Sequence, residues 1–519
     1  MKKEFNITGK CIPANHYMAD VSSKLTQTID MVEKGNYFII NRPRQYGKTT
    51  ALYSLASALR ATGEYFVFNI SFEGVGDSMF NDEKVFSQGF TSQLATYAHY
   101  FAKDFEDWLQ EVTPQTQSLK MLSQVITDLT NKTDKKIVIL IDEVDKSSNN
   151  QLFVSFLAML RNKYLTRDEV KTFHSVVLAG VHDVKSLKLK LRPDEEQKYN
   201  SPWNIATDFN VDMNLFPHEI RPMLEEYAAD KDIKIDSQFI AERLFYYTSG
   251  YPFLVSKLCK LCDEQILPKK EVKELTEEDL FAATRLLVKE SNTNFESLIK
   301  NLENNPDLYS LVYKVAVDGE SLPFNINNAT INLGALYGIF VDRNGLAIHN
   351  RIYSEVMLDY MSVNMLFAQL EKGVDFGGGY KNRDNSLNME AVLLGFQAFM
   401  KKEYSKKDRD FLERQGRLVF LAFIKPIING SGYDFKETQI SEERRLDVVI
   451  TYLQHRYLAE LKIWRGEAAH QQGLLQLSDY LDRLSLTEGY LLIFDNAKRK
   501  SWKKEWVEVE GKKVFVVWV

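Results

Sequence analysis

Cysteine is scarce in this sequence: Cys11, Cys259 and Cys262 are the three among 519 residues. So few in so long a chain exclude the disulfide framework of a secreted protein and point to a reducing compartment. Long apolar runs are also missing. None approaches a membrane span, and the opening MKKEFNITGKC has no signal-peptide-like apolar stretch. A cytoplasmic protein without membrane contact is the expectation. Nor is there an excess of positive charge: 65 Lys and Arg against 71 Asp and Glu leave a net charge of −6. A nucleic-acid partner would therefore need a local basic patch. Long-period repeats and low-complexity tracts are absent. Cys259 and Cys262 form a C-x-x-C, but no second pair and no histidine cluster stands at zinc spacing. YPFLVSKLCKLCDEQIL carries apolar residues at helical intervals, so both read as core cysteines.

What is present is ordinary globular material, 45% hydrophobic and 26% charged, with a length that suggests roughly three or four domains. NYFII, YFVFNI, KKIVILI and HSVVLAGV are short β-rich runs separated by helical stretches such as TTALYSLASALRATG. Apolar runs without alternation, spaced by helices, predict a parallel sheet covered on both faces over residues 1–216. From Pro217 to 293 helices dominate, with Gly250 and Pro252 reading as a helix stop and a helix start. Residues 294–370 offer helices and then IFVDRNGLAIHN, whose RNG marks a tight turn; the order predicts a winged helix, serving either packing or DNA binding. Residues 371–388, rich in glycine and asparagine, read as a linker, and 389–519 as a final α/β domain.

Two sets of residues carry chemistry. YFIINRPRQYGKTTAL places Gly47, Lys48, Thr49 and Thr50 between a predicted strand and a predicted helix, the context of a Walker A loop. Amides at the helix start can cradle phosphate, Lys48 can neutralise β/γ charge and Thr49 can ligate Mg²⁺. Arg42 stands where the first glycine of G-x-x-x-x-G-K-[ST] is expected. KKIVILIDEVD ends a strand in Asp142, suited to the Mg²⁺ water shell, and Glu143, suited to polarising a water. RPRQYGKT, VVLAGVHDVKSL, NIATDFNVDMNLF and TSGYPFLVSKLC together resemble the AAA-like, or STAND-like, P-loop ATPases of prokaryotes, whose loops often read R-P-R-x-x-G-K-[ST]. The resemblance implies ATP and Mg²⁺ as cofactors, Arg44 with the loop residues at the nucleotide, and Arg42 as a family variant. It puts His182 where a sensor residue would lie, although His182 also reads as an ordinary loop histidine. It identifies no arginine finger, and a homo-oligomer is left open.

The second set lies in LDVVITYLQHRYLAELKIW, two apolar runs joined by a polar LQHR, the pattern of a β-hairpin. Asp447, Glu460 and Lys462 interrupt it, with Glu460 and Lys462 on one face because residues two apart share a face. Their spacing fits D-x(12)-E-x-K, the core of the PD-(D/E)XK nuclease fold. Asp447, Glu460 and the Leu461 carbonyl can hold Mg²⁺, while Lys462 can orient or deprotonate the attacking water or stabilise charge at phosphorus. A hairpin salt bridge gives the same letters. Glu413 on a preceding helix, and Gln476 with Tyr480 one turn apart on the following one, resemble the extra acid and the Q-x-x-x-Y element of RecB-like nucleases. GRLVFLAFIKPIING, RRLDVVI and ELKIWRG resemble the nuclease domain fused to such ATPases. Arg444, Arg445, Arg465, Lys498, Arg499, Lys500, Lys503 and Lys504 supply phosphate contacts or simply a solvated face. The expectation is a multidomain α/β protein: a P-loop parallel sheet, helical lid, winged helix and C-terminal nuclease fold. Its function would be that of an ATP-regulated, Mg²⁺-dependent endonuclease acting on nucleic acid, DNA foremost, in defence or mobile-element biology by analogy. The alternatives are a nucleotide-driven switch or DNA-binding regulator whose nuclease fold no longer cuts, and an assembly scaffold that oligomerises with ATP and hardly turns over.

Overall fold

The computed structural model describes residues 3–100, 102–144, 151–181, 203–318, 320–370, 380–403, 419–421, 423–424, 427–428, 432–437, 446–452, 455–464, 466–495 and 502–519. They form two compact units, one of Met1–Leu287 with Leu336–Gly338, the other of Val288–Ala335 with Ile339–Val519.

In the first unit, helix α1 (Ser22–Glu33) leads into strand β1 (Tyr37–Asn41), and α2 (Lys48–Ala61) into β2 (Tyr65–Ser71). Helices α3 (Glu83–Ala98), α4 (Lys103–Val112) and α5 (Leu119–Asn131) precede β3 (Lys136–Asp142), and α6 (Gln151–Leu165) precedes β4 (Ser175–Gly180). Asp82 and Ser118 start α3 and α5 by accepting the amides of Val85 and Met121, bonds that replace missing intrahelical partners. The strands form a parallel sheet in the order β1-β4-β3-β2. The strand period of two sorts their apolar residues into two cores. Phe38, Ile40, Val138, Leu140 and Val177 face Leu52, Leu55 and Leu59 of α2. Tyr37, Ile39, Ile139, Ile141 and Leu178 face Phe90, Ile126 and Phe156 of α3, α5 and α6. Both faces are buried, which is why the runs read as continuously apolar.

Helices then dominate: α7 (Pro217–Lys231), α8 (Ser237–Thr248), α9 (Pro252–Leu261) and α10 (Glu277–Val288), with the two-residue strands β5 (Lys234–Ile235) and β6 (Glu274–Leu275) between them. Cys259 and Cys262 are buried where α9 passes into a π turn, and burial pushes the Cys259 thiol up to about 12. Such a thiol is inert. Helix α8 stops at Ser249 and Gly250, both left-handed, before Pro252 opens α9.

The second unit holds α11 (Thr293–Glu303), α12 (Pro306–Tyr313) and most of α13 (Ala329–Leu336), then a hairpin of β7 (Phe340–Asp342) and β8 (Leu346–Ile348), then α14 (Arg351–Leu370) and α15 (Met389–Glu403). The hairpin turns at Asn344 and Gly345, both at positive φ, and Arg343 beside them donates to the His349 carbonyl at 2.6 Å. Residues 380–388, expected as linker, instead form a closed turn: Lys381 bridges Leu387, Asn382 N–H bonds Ser386 O, and Leu387 is buried. The Asp384 carboxylate makes the turn by accepting from Ser386, a local bond that composition does not reveal. Residues 371–379 of that segment lie outside the described residues.

Six strands form the remaining sheet: β9 (Gly432–Glu437), β10 (Leu446–Tyr452), β11 (His455–Ile463), β12 (Glu488–Phe494), β13 (Lys504–Val509) and β14 (Lys512–Trp518), in the order β13-β14-β12-β11-β10-β9. Strand β11 pairs antiparallel with β10 and parallel with β12. Helix α16 (Glu467–Arg483) covers one face through Leu474, Leu477 and Leu481 against Leu458, Leu491 and Val516. From α15, Phe396 meets Phe494 at 6.4 Å and Gln397 donates to the Trp518 carbonyl.

The stop between α8 and α9 generates a prediction. Gly250 has φ +76°, and a Cβ there would stand 2.4 Å from the Leu215 carbonyl oxygen. Leu215 N–H in turn donates to Gly250 O at 2.7 Å, so neither backbone can retreat. Gly250→Ala should cost the first unit about 2 kcal/mol or more, read as a lower midpoint in chemical denaturation of the full chain.

Candidate functional site

Residues 42–47 make the whole turn between β1 and α2. Gln45 and Gly47 take left-handed φ values of 57° and 82°. A Cβ at Gly47 would meet nothing within 4 Å, so glycine serves the backbone angle there rather than space. Gly47 caps α2 without a side-chain bond, which leaves the first-turn amides facing out of the helix with the positive end of its dipole. Lys48 is buried, and its ammonium donates to the carbonyls of Arg42 at 3.0 Å and Pro43 at 2.9 Å, closing the loop.

The sheet order brings the end of β3 to the same edge. Thr49 Oγ1 donates to one Asp142 carboxylate oxygen at 2.6 Å, and the Glu143 amide donates to the other at 2.9 Å. Asp142 is buried, while Glu143 is half-buried at φ 57°, a conformation that a glutamate rarely takes. Amides at a helix start, a lysine, a hydroxyl and two carboxylates suit a nucleoside triphosphate with Mg²⁺ in donor type and charge.

Three further contacts surround the loop. Arg42 does not take a left-handed backbone, so no glycine is needed at its place. Its guanidinium donates to the carbonyls of Asn41 (2.8 Å), Val211 (2.8 Å) and Phe209 (3.4 Å) and lies 5.4 Å from the Phe209 ring. Phe209 stacks on Phe38, and Tyr46 O–H bonds Asn214, so the strap 207–214 is fastened along β1 and the loop. Burial lowers the Arg42 pKa from its ordinary value. Tyr251 O–H donates to the Arg44 carbonyl, leaving the Arg44 side chain exposed. Thr50 Oγ1 accepts the Cys11 amide at 3.0 Å and so holds the N-terminal segment. His182 lies outside the described residues.

Residues 14–353 match the family described as an AAA-like domain. The chain belongs to this AAA-like family. It is thus a P-loop ATPase of the AAA-like type, with the α/β parallel sheet of that class. No curated protein matches it. Among solved structures, a Walker-type ATPase of Pyrococcus abyssi is similar at 13% identity and TM-score 0.48, covering 68% of this chain and 99% of the other. The ORC2 protein of Aeropyrum pernix gives 13% and 0.38, covering 70% and 97%. The RuvB Holliday junction branch migration motor of Thermotoga maritima gives 14% and 0.35, covering 66% and 96%.

The AAA-like ATPase carries its other charged set in the second unit. Strands β10 and β11 are the two arms of the hairpin, and their register sets Asp447 directly opposite Glu460, with Leu461 opposite Leu446. Glu460 is 1% exposed, and Lys462 Nζ stands 3.0 Å from its Oε1. On α16, Gln476 is half-buried and Tyr480 buried. Of Asp447 the backbone is described, not the side chain, and Glu413, Arg444, Arg445, Arg465, Lys498, Arg499 and Lys500 lie outside the described residues. Lys503 and Lys504 are exposed. Among the described residues no three side chains of metal-ligating type form a cluster. Two features escaped the reading of the sequence. Glu437 on β9 falls opposite Asp447 on its other side, and Gly473 of α16 lies against Lys462. The signal for the second was a glycine inside AHQQGLLQLSDYL, otherwise a good helix.

Arg42→Gly would restore the glycine of the common loop pattern while removing three hydrogen bonds and a ring contact. The expected result is a loss of about 2 kcal/mol in denaturation rather than a gain in nucleotide affinity, and a stabilised variant would refute the clamp.

Proposed function

We propose that this ATPase is an ATP-regulated, Mg²⁺-dependent endonuclease of nucleic acid, DNA foremost. The observation that carries the cleavage half is the placement of Asp447 opposite Glu460, with the Lys462 ammonium 3.0 Å from the Glu460 carboxylate. A buried ion pair gains little or no stability over the leucines and valines that would otherwise fill a strand. A strand that keeps one has a use for it. Asp447, Glu460 and the Leu461 carbonyl are all-oxygen donors of the kind that hold Mg²⁺. Bound there, the ion would supply Lewis-acid activation of the phosphodiester and of water. Lys462 orients that water or stabilises charge building on phosphorus, with Glu413 and Gln476 supporting.

In the P-loop, Lys48 faces the β/γ phosphates, Gly47, Thr50 and Arg44 line the nucleotide, and Thr49 and Asp142 are the residues that would hold Mg²⁺. Glu143 polarises the attacking water, and His182 senses the γ-phosphate after β4. The protein acts in the cytoplasm, with a homo-oligomer left open.

Incubating the full chain with plasmid, linear and single-stranded DNA, with and without Mg²⁺ and ATP, tests the reading. Lys462→Ala should lose cleavage by about a hundredfold or more while still hydrolysing ATP. Lys48→Ala should lose nucleotide binding and the response of cleavage to ATP, whereas Glu143→Gln should bind ATP and fail to release phosphate. A wild type that binds DNA but cuts none of these substrates would return the non-cleaving regulator as the better description. Wild-type phosphate release by both P-loop variants would remove the roles given to Lys48 and Glu143.

A further inference from the structure

Glycine is among the poorest residues for a helix interior, because it loses the most backbone freedom on ordering. Helix α16 nevertheless runs unbroken through Gly473. The usual reason for such a glycine is close approach of the helix backbone to a neighbouring strand, and then an added Cβ would strike backbone. Here it would not. The three atoms nearest to a Cβ at Gly473 all belong to Lys462: Nζ at 2.0 Å, Cε at 3.0 Å and Cδ at 3.2 Å. The space a side chain would fill is occupied by the end of the lysine. A lysine at the end of a strand ordinarily runs its chain along apolar surface and puts its ammonium in water. Lys462 does the opposite: its side chain is 18% exposed and its ammonium meets a Glu460 carboxylate that is 1% exposed.

We infer that Gly473 is a positioning residue: by lacking a side chain it seats the Lys462 ammonium on Glu460. This deepens, and rests on, the nuclease reading, since a seated ammonium is what the cleavage step requires of Lys462. Any larger residue at 473 drives the ammonium off the carboxylate and toward solvent. Strand pairing of Asp447 with Glu460, and hence the metal-binding pair, does not involve 473 and is retained.

The test uses the full chain and a readout that does not depend on cleavage. Reductive methylation followed by peptide mass spectrometry measures how fast Lys462 is modified, with exposed Lys503 and Lys504 as internal standards. Gly473→Ala should speed modification of Lys462 at least about fivefold relative to those standards, because an expelled ammonium is reachable. Plasmid cleavage should lose about tenfold or more in kcat with little change in KM, as for a misplaced catalytic group, while ATP hydrolysis stays as in wild type. Equal Lys462 modification in wild type and Gly473→Ala overturns the seat. Should Gly473→Ala fail to fold, Lys462→Ala/Gly473→Ala is the second variant. With the lysine truncated the new methyl has room, so recovery of folding supports the seat and continued failure overturns it. Wild-type protein that cuts nothing removes the nuclease reading, while the labelling result still decides where the ammonium sits.

Discussion

A carboxylate taken out of water must be answered by donors, and Asp142 and Glu460, one in each unit, show what that demands. Asp142 is 5% exposed and Glu460 1%. Removing the partner of a group buried this deeply costs about 3–5 kcal/mol, so the partners are not optional. For Asp142 they are the Thr49 hydroxyl and the Glu143 amide, which belong to the start of α2 and to the residue past β3. Satisfying one side chain therefore fixes a helix start against a strand end 93 positions away in sequence. For Glu460 one partner is Lys462, on the same strand, and what packs over that pair decides how deep it lies.

The loop around Lys48 shows how a motif can depart from its pattern without losing its shape. Its left-handed positions are Gln45 and Gly47, and Arg42 is not one of them. The residue there is free to be large, and as arginine it reaches backbone carbonyls of 209 and 211. A planar fork with several donors suits carbonyls arranged along a strap better than a single ammonium would. Lys48 bonds the carbonyl of Arg42, so the clamp and the loop lysine meet at one residue.

Much of this was legible in the sequence because its signals are local. Four apolar runs gave the parallel strands, and strand-to-helix context around Gly47 and Lys48 located the loop. The six-stranded sheet was legible in its middle and not at its rims. β9, GYDFKE, and β13, KEWVEV, lack the apolar run that predicts a strand, and they are the two edges of the sheet. Edge strands carry charge, which blunts pairing with other chains, so they lack the apolar run that betrays a central strand. The strap at 207–214 and the turn at 380–388 escaped for a related reason. Each is held by hydrogen bonds whose partners are set by tertiary position or by a single Asx contact, and neither leaves a period in the sequence.

The pair Glu460 and Lys462 marks where legibility ends. That they share a face follows from strand geometry alone, and so does an ion pair between them. What strand geometry does not give is depth. In water such a pair is worth about 0–1 kcal/mol and is an ordinary feature of hairpins; buried, it is a cost that apolar residues would avoid. The depth comes from α16, laid across the sheet by Leu474, Leu477 and Leu481, and from the one residue among them that has no side chain to push the lysine out. A salt bridge that folding stability alone does not call for is thus kept in place by a glycine that helix stability alone would replace. Two local disadvantages on different elements meet at one ammonium, and neither is accounted for by strand or helix preference.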